Sequence, residues 1–212
     1  MEPKESENDS APETSQSLSG IFAGRYEIQS LLGSGGMGKV YKAYDLVLQR
    51  HVALKFVRAD DPELERRLLR EAQAQAKVEH EYVCKIFDLG QAEDRLFIAM
   101  QYIEGESFQE AQNKLSLEQK VVLMKQVAEG IHAAHRIGLI HRDLKPSNIM
   151  LERTGLKPVI FDFGLVRDTT KPDQSRTGVI HGTPYYMSPE QAMGEVQKMD
   201  RHSDVYSLGA NL

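Results

Sequence analysis

Hydrophobic and polar positions change their rhythm twice along the chain. Residues 1 to about 20 carry Glu, Ser, Pro and Asn and almost no large apolar side chain. That is too little to repay the entropy of ordering, so positions 1–22 read as a disordered, acidic, Ser-rich tail. From Arg25 to Tyr102, β-branched and aromatic runs follow one another between turns: YEIQSLL, KVYKAY, HVALKFV, VCKIF (83–87) and LFIAMQY (96–102). Such runs predict an antiparallel meander. One helix interrupts it, with Asp61 as N-cap, Pro62 at the first helical position and Glu63 favourable to the dipole, running to about Val78. After Gly105 the period turns helical. Ser116 and Gln119 make a capping box, Val121, Met124, Val127, Ile131 and Ala134 share one face, and Gly138 ends the helix. The expected class is α+β: a β-rich region at 23–102 containing one helix, then a mainly α region at 103–212.

Composition narrows the function. The 212 residues are 41% hydrophobic, enough for a sizeable core. Of the net charge of −5, the acids Glu2, Glu5, Glu7, Asp9 and Glu13 against Lys4 place −4 in the tail, leaving the rest near neutral. A general nucleic-acid binder would need a basic face, so no nucleic-acid partner is expected. Cys84 is the only cysteine, which excludes an intrachain disulfide and points to a buried thiol in a reducing, cytoplasmic compartment. No apolar run reaches membrane-spanning length, and no signal-peptide order is visible, so no membrane segment is expected in this chain.

Three motifs carry chemistry. In Gly33-Ser34-Gly35-Gly36-Met37-Gly38-Lys39-Val40 the missing side chains let backbone N–H groups approach a polyphosphate. The loop runs into a strand, not a helix, so it is not a dinucleotide-binding turn. In Val52-Ala53-Leu54-Lys55-Phe56, alternation sets Val52, Leu54 and Phe56 on one face and Ala53 and Lys55 on the other. Lys55 is either an edge lysine reaching water or a cation for phosphate oxygens held by an acid. Glu71 is the best-placed acid and Glu65 the fallback. The third motif, His141-Arg142-Asp143-Leu144-Lys145-Pro146-Ser147-Asn148 followed by Asp162-Phe163-Gly164, has the parts of phosphoryl transfer. It holds a carboxylate for a hydroxyl proton, a lysine for the moving phosphate, and Asn148 with Asp162 as hard ligands for magnesium. His132 and His135 stand three apart on the helix without a third ligand nearby, and read as packing and helix-end residues rather than a zinc site.

Together with Gly182-Thr183-Pro184 through Ser188-Pro189-Glu190 and the run Ser203-Asp204-Val205-Tyr206-Ser207-Leu208-Gly209, these motifs resemble the protein-kinase signature set in family order from about Tyr26 onward. The phrasing looks most like the bacterial, eukaryote-like serine/threonine branch. The resemblance implies a two-lobe fold with a hinge at 101–105, Mg²⁺ and ATP as cofactors, and Ser/Thr hydroxyls of proteins as substrates. It implies that Leu32 to Val40 bind the nucleotide, with Gly33, Gly35 and Gly38 covering the phosphates. Val40, Ala53 and Met150 would enclose the adenine, and Met100 would be the gatekeeper. Lys55 would hold phosphate and pair with Glu71, Asp143 would orient the hydroxyl and Lys145 would meet the γ-phosphate. Asn148 and Asp162 would bind magnesium, and Thr183 would bridge Asp143 and Lys145. Arg142 resembles kinases switched on by loop phosphorylation, for which Thr169, Thr170, Ser175 and Thr177 are candidates, with self-association for autophosphorylation.

Three departures qualify the resemblance. The chain stops early in the long helix expected to begin around Asp204, so Glu190 lacks the arginine that pairs with it in the family, and apolar faces would lie open. The alternative reading is therefore an inactive nucleotide-binding fragment or scaffold; a small-molecule kinase fits the peptide-platform segment poorly. Gln75 stands where an apolar side chain is usual, which would bias the resting state towards inactivity. Ser188 replaces an alanine, a change of one hydroxyl.

Overall fold

The computed structural model describes residues 19–35, 38–57, 62–163 and 184–212. The tail to residue 18, Gly36, Met37, Asp61, Gly164, Thr169, Thr170, Ser175, Thr177 and Thr183 lie outside the described residues, as does the side chain of Glu63.

Alternation in the first region produces one antiparallel sheet of six strands. These are β1 (Gly20–Phe22), β2 (Tyr26–Gly35), β3 (Gly38–Asp45), β4 (Arg50–Val57), β5 (Ile86–Ala92) and β6 (Arg95–Gln101), in the order β1-β2-β3-β4-β6-β5. Strand β4 is central and buried on both faces. Val52, Leu54 and Phe56 pack among Phe22, Tyr26, Tyr41 and Phe97. Ala53 and Val57 face Ile98, Met100 and the residues Leu68 and Ala72 of helix α1 (Pro62–Gln75). Pro62 opens this helix as expected; its regular part ends at Gln75, three residues short of Val78.

Two boundaries differ from expectation. Gly20–Phe22 pairs with β2, and Phe22 meets Phe56 and Phe97 edge-on at 4.8 and 5.4 Å, so these residues belong to the folded lobe and not to the tail. Two apolar side chains between glycines were too few to register as a strand; the pocket of rings that receives Phe22 supplies the missing stabilisation. The strand expected at 83–87 begins instead at Ile86, because the backbone before it is taken elsewhere: Cys84 N–H donates to Ile160 O (2.8 Å), and Ile160 N–H to Tyr82 O (2.8 Å). That crossing stitches the sheet to the helical region.

A polar clasp closes the far end of the sheet. Arg25 donates to both oxygens of Asp45 (2.9 and 2.8 Å) and to Asp88 (2.9 Å), and Tyr26 donates to the same Asp88 carboxylate (2.9 Å). The Arg25 guanidinium, helped by the N–H groups of Leu48 and Val47, holds the Asp45 carboxyl down at about 2. One cation thus binds the ends of β2, β3 and β5.

The second region is mainly helical. Ser116 and Gln119 form the expected box, Ser116 N–H donating to Gln119 Oε1 (2.8 Å) and Gln119 N–H to Ser116 Oγ (3.3 Å), at the start of α3 (Leu117–Arg136). Met124, Val127, Ile131 and Ala134 are buried, but Val121 is 49% exposed: the core-facing stripe starts with Leu123 and Met124. Gly138, at φ 78°, ends the helix. Short strands β7 (Gly105–Ser107), β8 (Ile149–Glu152) and β9 (Pro158–Ile160) form a second sheet that seats on α3 and on the short helix α2 (Phe108–Ala111). Helices α4 (Pro189–Ala192) and α5 (Arg201–Ala210) follow; α5 starts at Arg201, capped by Asp200 accepting from His202 N–H (2.7 Å), ahead of the Asp204 start expected.

Glu190, without the arginine of the family, is not left as a buried unpaired acid. Its carboxylate is partly exposed and accepts from Ser203 Oγ (2.5 Å), a bond that holds it below the usual carboxylate range. Val205, Tyr206 and Leu212 do stand open to solvent. No helix among the described residues is long and apolar enough to cross a membrane.

Candidate active site

Where the two regions meet, the structure encloses a cavity of about 390 Å³. Leu32, Gly33, Val40, Ala53, Lys55, Met100, Met150 and Asp162, all singled out from sequence, line it. Ser34, Gly35, Gly38 and Lys39 sit beside it in the β2–β3 hairpin, where Gly35 pairs with Gly38. Two glycines here have different reasons. At Gly38, a Cβ would fall 1.9 Å from the Phe56 carbonyl, so packing alone demands glycine. A Cβ at Gly33 would meet nothing within 4 Å, so the space at the cavity's edge is left open without a packing need.

Sequence reasoning missed Cys84, Glu110 and Phe161 in the lining, and gave Gln101, Tyr102, Ile103 and Gly105 as part of the hinge without placing them in the cavity wall. Gly105 carried a signal in being glycine, since a Cβ there would lie 1.8 Å from Leu151 O, where β7 crosses β8. Cys84 gave a burial signal only. Burial pushes its thiol up to about 12, so it lines the cavity as a neutral, unreactive group.

Below the cavity runs the turn His141 to Asn148. Asp143 accepts from Lys145 Nζ (2.7 Å) and from Asn148 Nδ2 (3.1 Å) through one oxygen, Oδ2. Asn148 Nδ2 also donates to Asp143 O (2.8 Å), which fixes the amide and turns Oδ1 to the other side, where no hydrogen bond from the described residues reaches it. The buried His141 accepts from Asp143 N–H at Nδ1 (3.2 Å) and donates from Nε2 to Phe161 O (3.1 Å); burial lowers its pKa, consistent with this neutral tautomer. Arg142 has φ 64°, a costly conformation for a long side chain. Asp204, buried in α5, holds it there by accepting from His141 N–H and Arg142 N–H (2.8 Å each) and binding His135 Nε2 (2.7 Å). His135 is thus a helix-end residue bonded to this anchor, while His132 is exposed.

Lys55 and Glu71 do not pair. Lys55, 4% exposed, donates to Asp162 Oδ1 at 2.6 Å, and Glu71 Oε1 lies 3.7 Å from Arg142 Nη1. The left-handed backbone of Asp162 (φ 58°) turns its carboxylate up to β4, where it satisfies the buried ammonium in place of Glu71. Gln75, one turn beyond Glu71, is 2% exposed; its Nε2 donates to Cys84 O (3.2 Å), and its Oε1 has no partner among the described residues. A buried acceptor left unmade costs more than a made bond returns. Gln75→Leu removes that orphan but also the donor to Cys84 O, so stability is expected to stay within about 1 kcal/mol while activity increases, read from the melting temperature and the initial transfer rate. A variant with no gain in activity shows that Gln75 does not hold the resting arrangement.

The model of the protein kinase domain family matches residues 26–212. This chain belongs to the protein kinase domain family. It is 38% identical to the serine/threonine-protein kinase pkn3 of Myxococcus xanthus, over 95% of this chain and 39% of that protein. It is 37% identical to PrkC of Bacillus subtilis, over 89% of this chain and 30% of that protein. The chain therefore spans about a third of the length of these curated kinases. In fold it matches a crystal structure of the Mycobacterium tuberculosis PknI kinase domain at a TM-score of 0.74, with 28% identity, over 92% of this chain and 74% of that one. The kinase fold accounts for the two lobes and for a cleft at their junction.

Proposed function

We propose that this chain is the nucleotide-binding and catalytic part of a protein serine/threonine kinase, moving the γ-phosphoryl group of ATP to a Ser or Thr hydroxyl of a protein. One observation carries the reading: Lys55 pairs with Asp162 in the cavity wall, and Asp143 pairs with Lys145 and Asn148 in the turn below it, two charge-assisted clusters joined by the Phe161 N–H donating to Asn148 O (3.1 Å). Val40, Ala53 and Met150 supply apolar walls for a purine, with Met100 at the back, and the β2–β3 hairpin with its open Gly33 supplies room and N–H groups for phosphates.

Asp143 accepts the proton of the attacking hydroxyl as its oxygen bonds to phosphorus and the bond from phosphorus to the bridging oxygen of ADP breaks. Lys145, already paired with Asp143, stabilises charge on the transferring group, and Lys55 holds the phosphates that stay with ADP. The donor set suits magnesium: Asn148 Oδ1 and the Asp162 carboxylate are hard oxygens, and no cluster of three or more His, Cys, Asp or Glu side chains exists among the described residues to make a closed cage. Bound there, the ion would neutralise phosphate charge. Glu71, now beside Arg142, is the acid that would pair with Lys55 were the Asp162 carboxylate to serve as a metal ligand. Regulation by phosphate on the segment holding Thr169, Thr170, Ser175 and Thr177 rests on Arg142, whose side chain is 41% exposed.

The test is transfer of label from γ-labelled ATP to Ser or Thr of a protein substrate, with the 212-residue chain and with the longest reading frame that contains it. Label is expected with magnesium and is expected to disappear when the metal is chelated. Nucleotide binding without transfer in both proteins would establish a binding module instead.

A further inference from the structure

We propose that Gln191, in α4, is a positioning residue: its side-chain amide locks the peptide plane between Arg142 and Asp143 and so sets where the Asp143 carboxylate points. This rests on the reading of Asp143 as the group that meets the substrate hydroxyl. Gln191 Oε1 accepts from Ser188 N–H (2.9 Å), and Nε2 donates to Arg142 O (2.6 Å). The Arg142 carbonyl and the Asp143 N–H belong to one rigid plane. Its N–H end is held by His141 Nδ1 (3.2 Å), and its carbonyl end by Gln191. The preceding two N–H groups are held by Asp204. Without Gln191, the carbonyl end of a plane that follows a left-handed residue is released, and the plane can swing about the bonds flanking Asp143.

The job requires an amide. One end must accept an N–H and the other must donate to a C=O, which Gln does and Glu cannot. Q191E keeps the shape and the acceptor for Ser188 N–H, so α4 still starts, but it sets a carboxylate oxygen against the Arg142 carbonyl. Q191M removes both bonds. The separation of tether from cap lies in that pair.

For Q191E, kcat is expected to fall about tenfold or more while KM for ATP stays within about twofold, because nucleotide contacts are untouched. Amide exchange at Arg142 and Asp143 should quicken, and exchange at 189–193 should not. Q191M should lose as much activity and also quicken exchange in α4. Parent-like kcat and exchange at Arg142 and Asp143 in Q191E would overturn the tether, as would a loss matched by a rise in KM with α4 unprotected. If the parent itself moves no phosphate, the kinase reading fails by that result, and faster exchange at Arg142 and Asp143 in Q191E still decides for the tether or, if absent, against it.

Discussion

Asp143→Asn is expected to lower phosphoryl transfer by about a hundredfold or more, with nucleotide affinity and melting temperature close to the parent's. The neighbours of Asp143 make this substitution sharper than a simple loss of charge. Lys145 Nζ and Asn148 Nδ2 are both donors and both aim at Oδ2. An asparagine can satisfy them only by turning its carbonyl oxygen their way, which sends its NH₂ towards the place where the hydroxyl proton must go. The variant therefore keeps these two hydrogen bonds and presents a donor where an acceptor is required. Because the packing is unchanged, the loss should sit in kcat and not in KM for ATP. Initial rates under saturating ATP, beside calorimetric binding of ADP, check both halves. Transfer within about threefold of the parent would remove Asp143 from the proton-accepting role.

Much of this site was legible in sequence because its residues sit at fixed offsets on short elements. Period two in β4 places Lys55 opposite the face of Val52, Leu54 and Phe56, and the side chains do divide that way. The capping box at Ser116 fixed the start of α3 to the residue. What escaped was whatever depends on contacts between segments far apart in the chain. Strand β1 is made by the rings that receive Phe22, and the late start of β5 by the claim of Ile160 on Cys84. Partner choice escaped for the same reason. Nothing in the spacing of Lys55, Glu71 and Asp162 says which carboxylate reaches the ammonium, since that turns on one left-handed residue, Asp162, and on how far α1 swings inward. Gln191 did leave a trace: Ser188 to Gln191 repeats the spacing of Ser116 to Gln119, a capping signature, but only the fold shows that its amide also reaches Arg142.

Asp204→Ala is expected to remove both the activity and about 3–5 kcal/mol of stability, the larger structural effect of any single change here. Asp204 is 1% exposed and serves as acceptor for three groups: His141 N–H, Arg142 N–H and His135 Nε2. Alanine leaves two buried backbone donors with no acceptor, each costing about 1–3 kcal/mol, and a cavity beside His135 that lacks the shape to hold them apart. The Arg142 backbone then has less to keep it at φ 64°, and relaxation of that residue would carry Asp143 away from Lys145 and Asn148. Asp204→Asn separates the two consequences. It retains one oxygen for a backbone N–H but faces the second with an NH₂, so it should recover part of the stability and little of the transfer rate. Denaturant unfolding gives the stability difference and a phosphate-transfer assay the rate. An alanine variant within about 1 kcal/mol of the parent, or an asparagine variant with full activity, would mean that the catalytic turn holds its shape without α5.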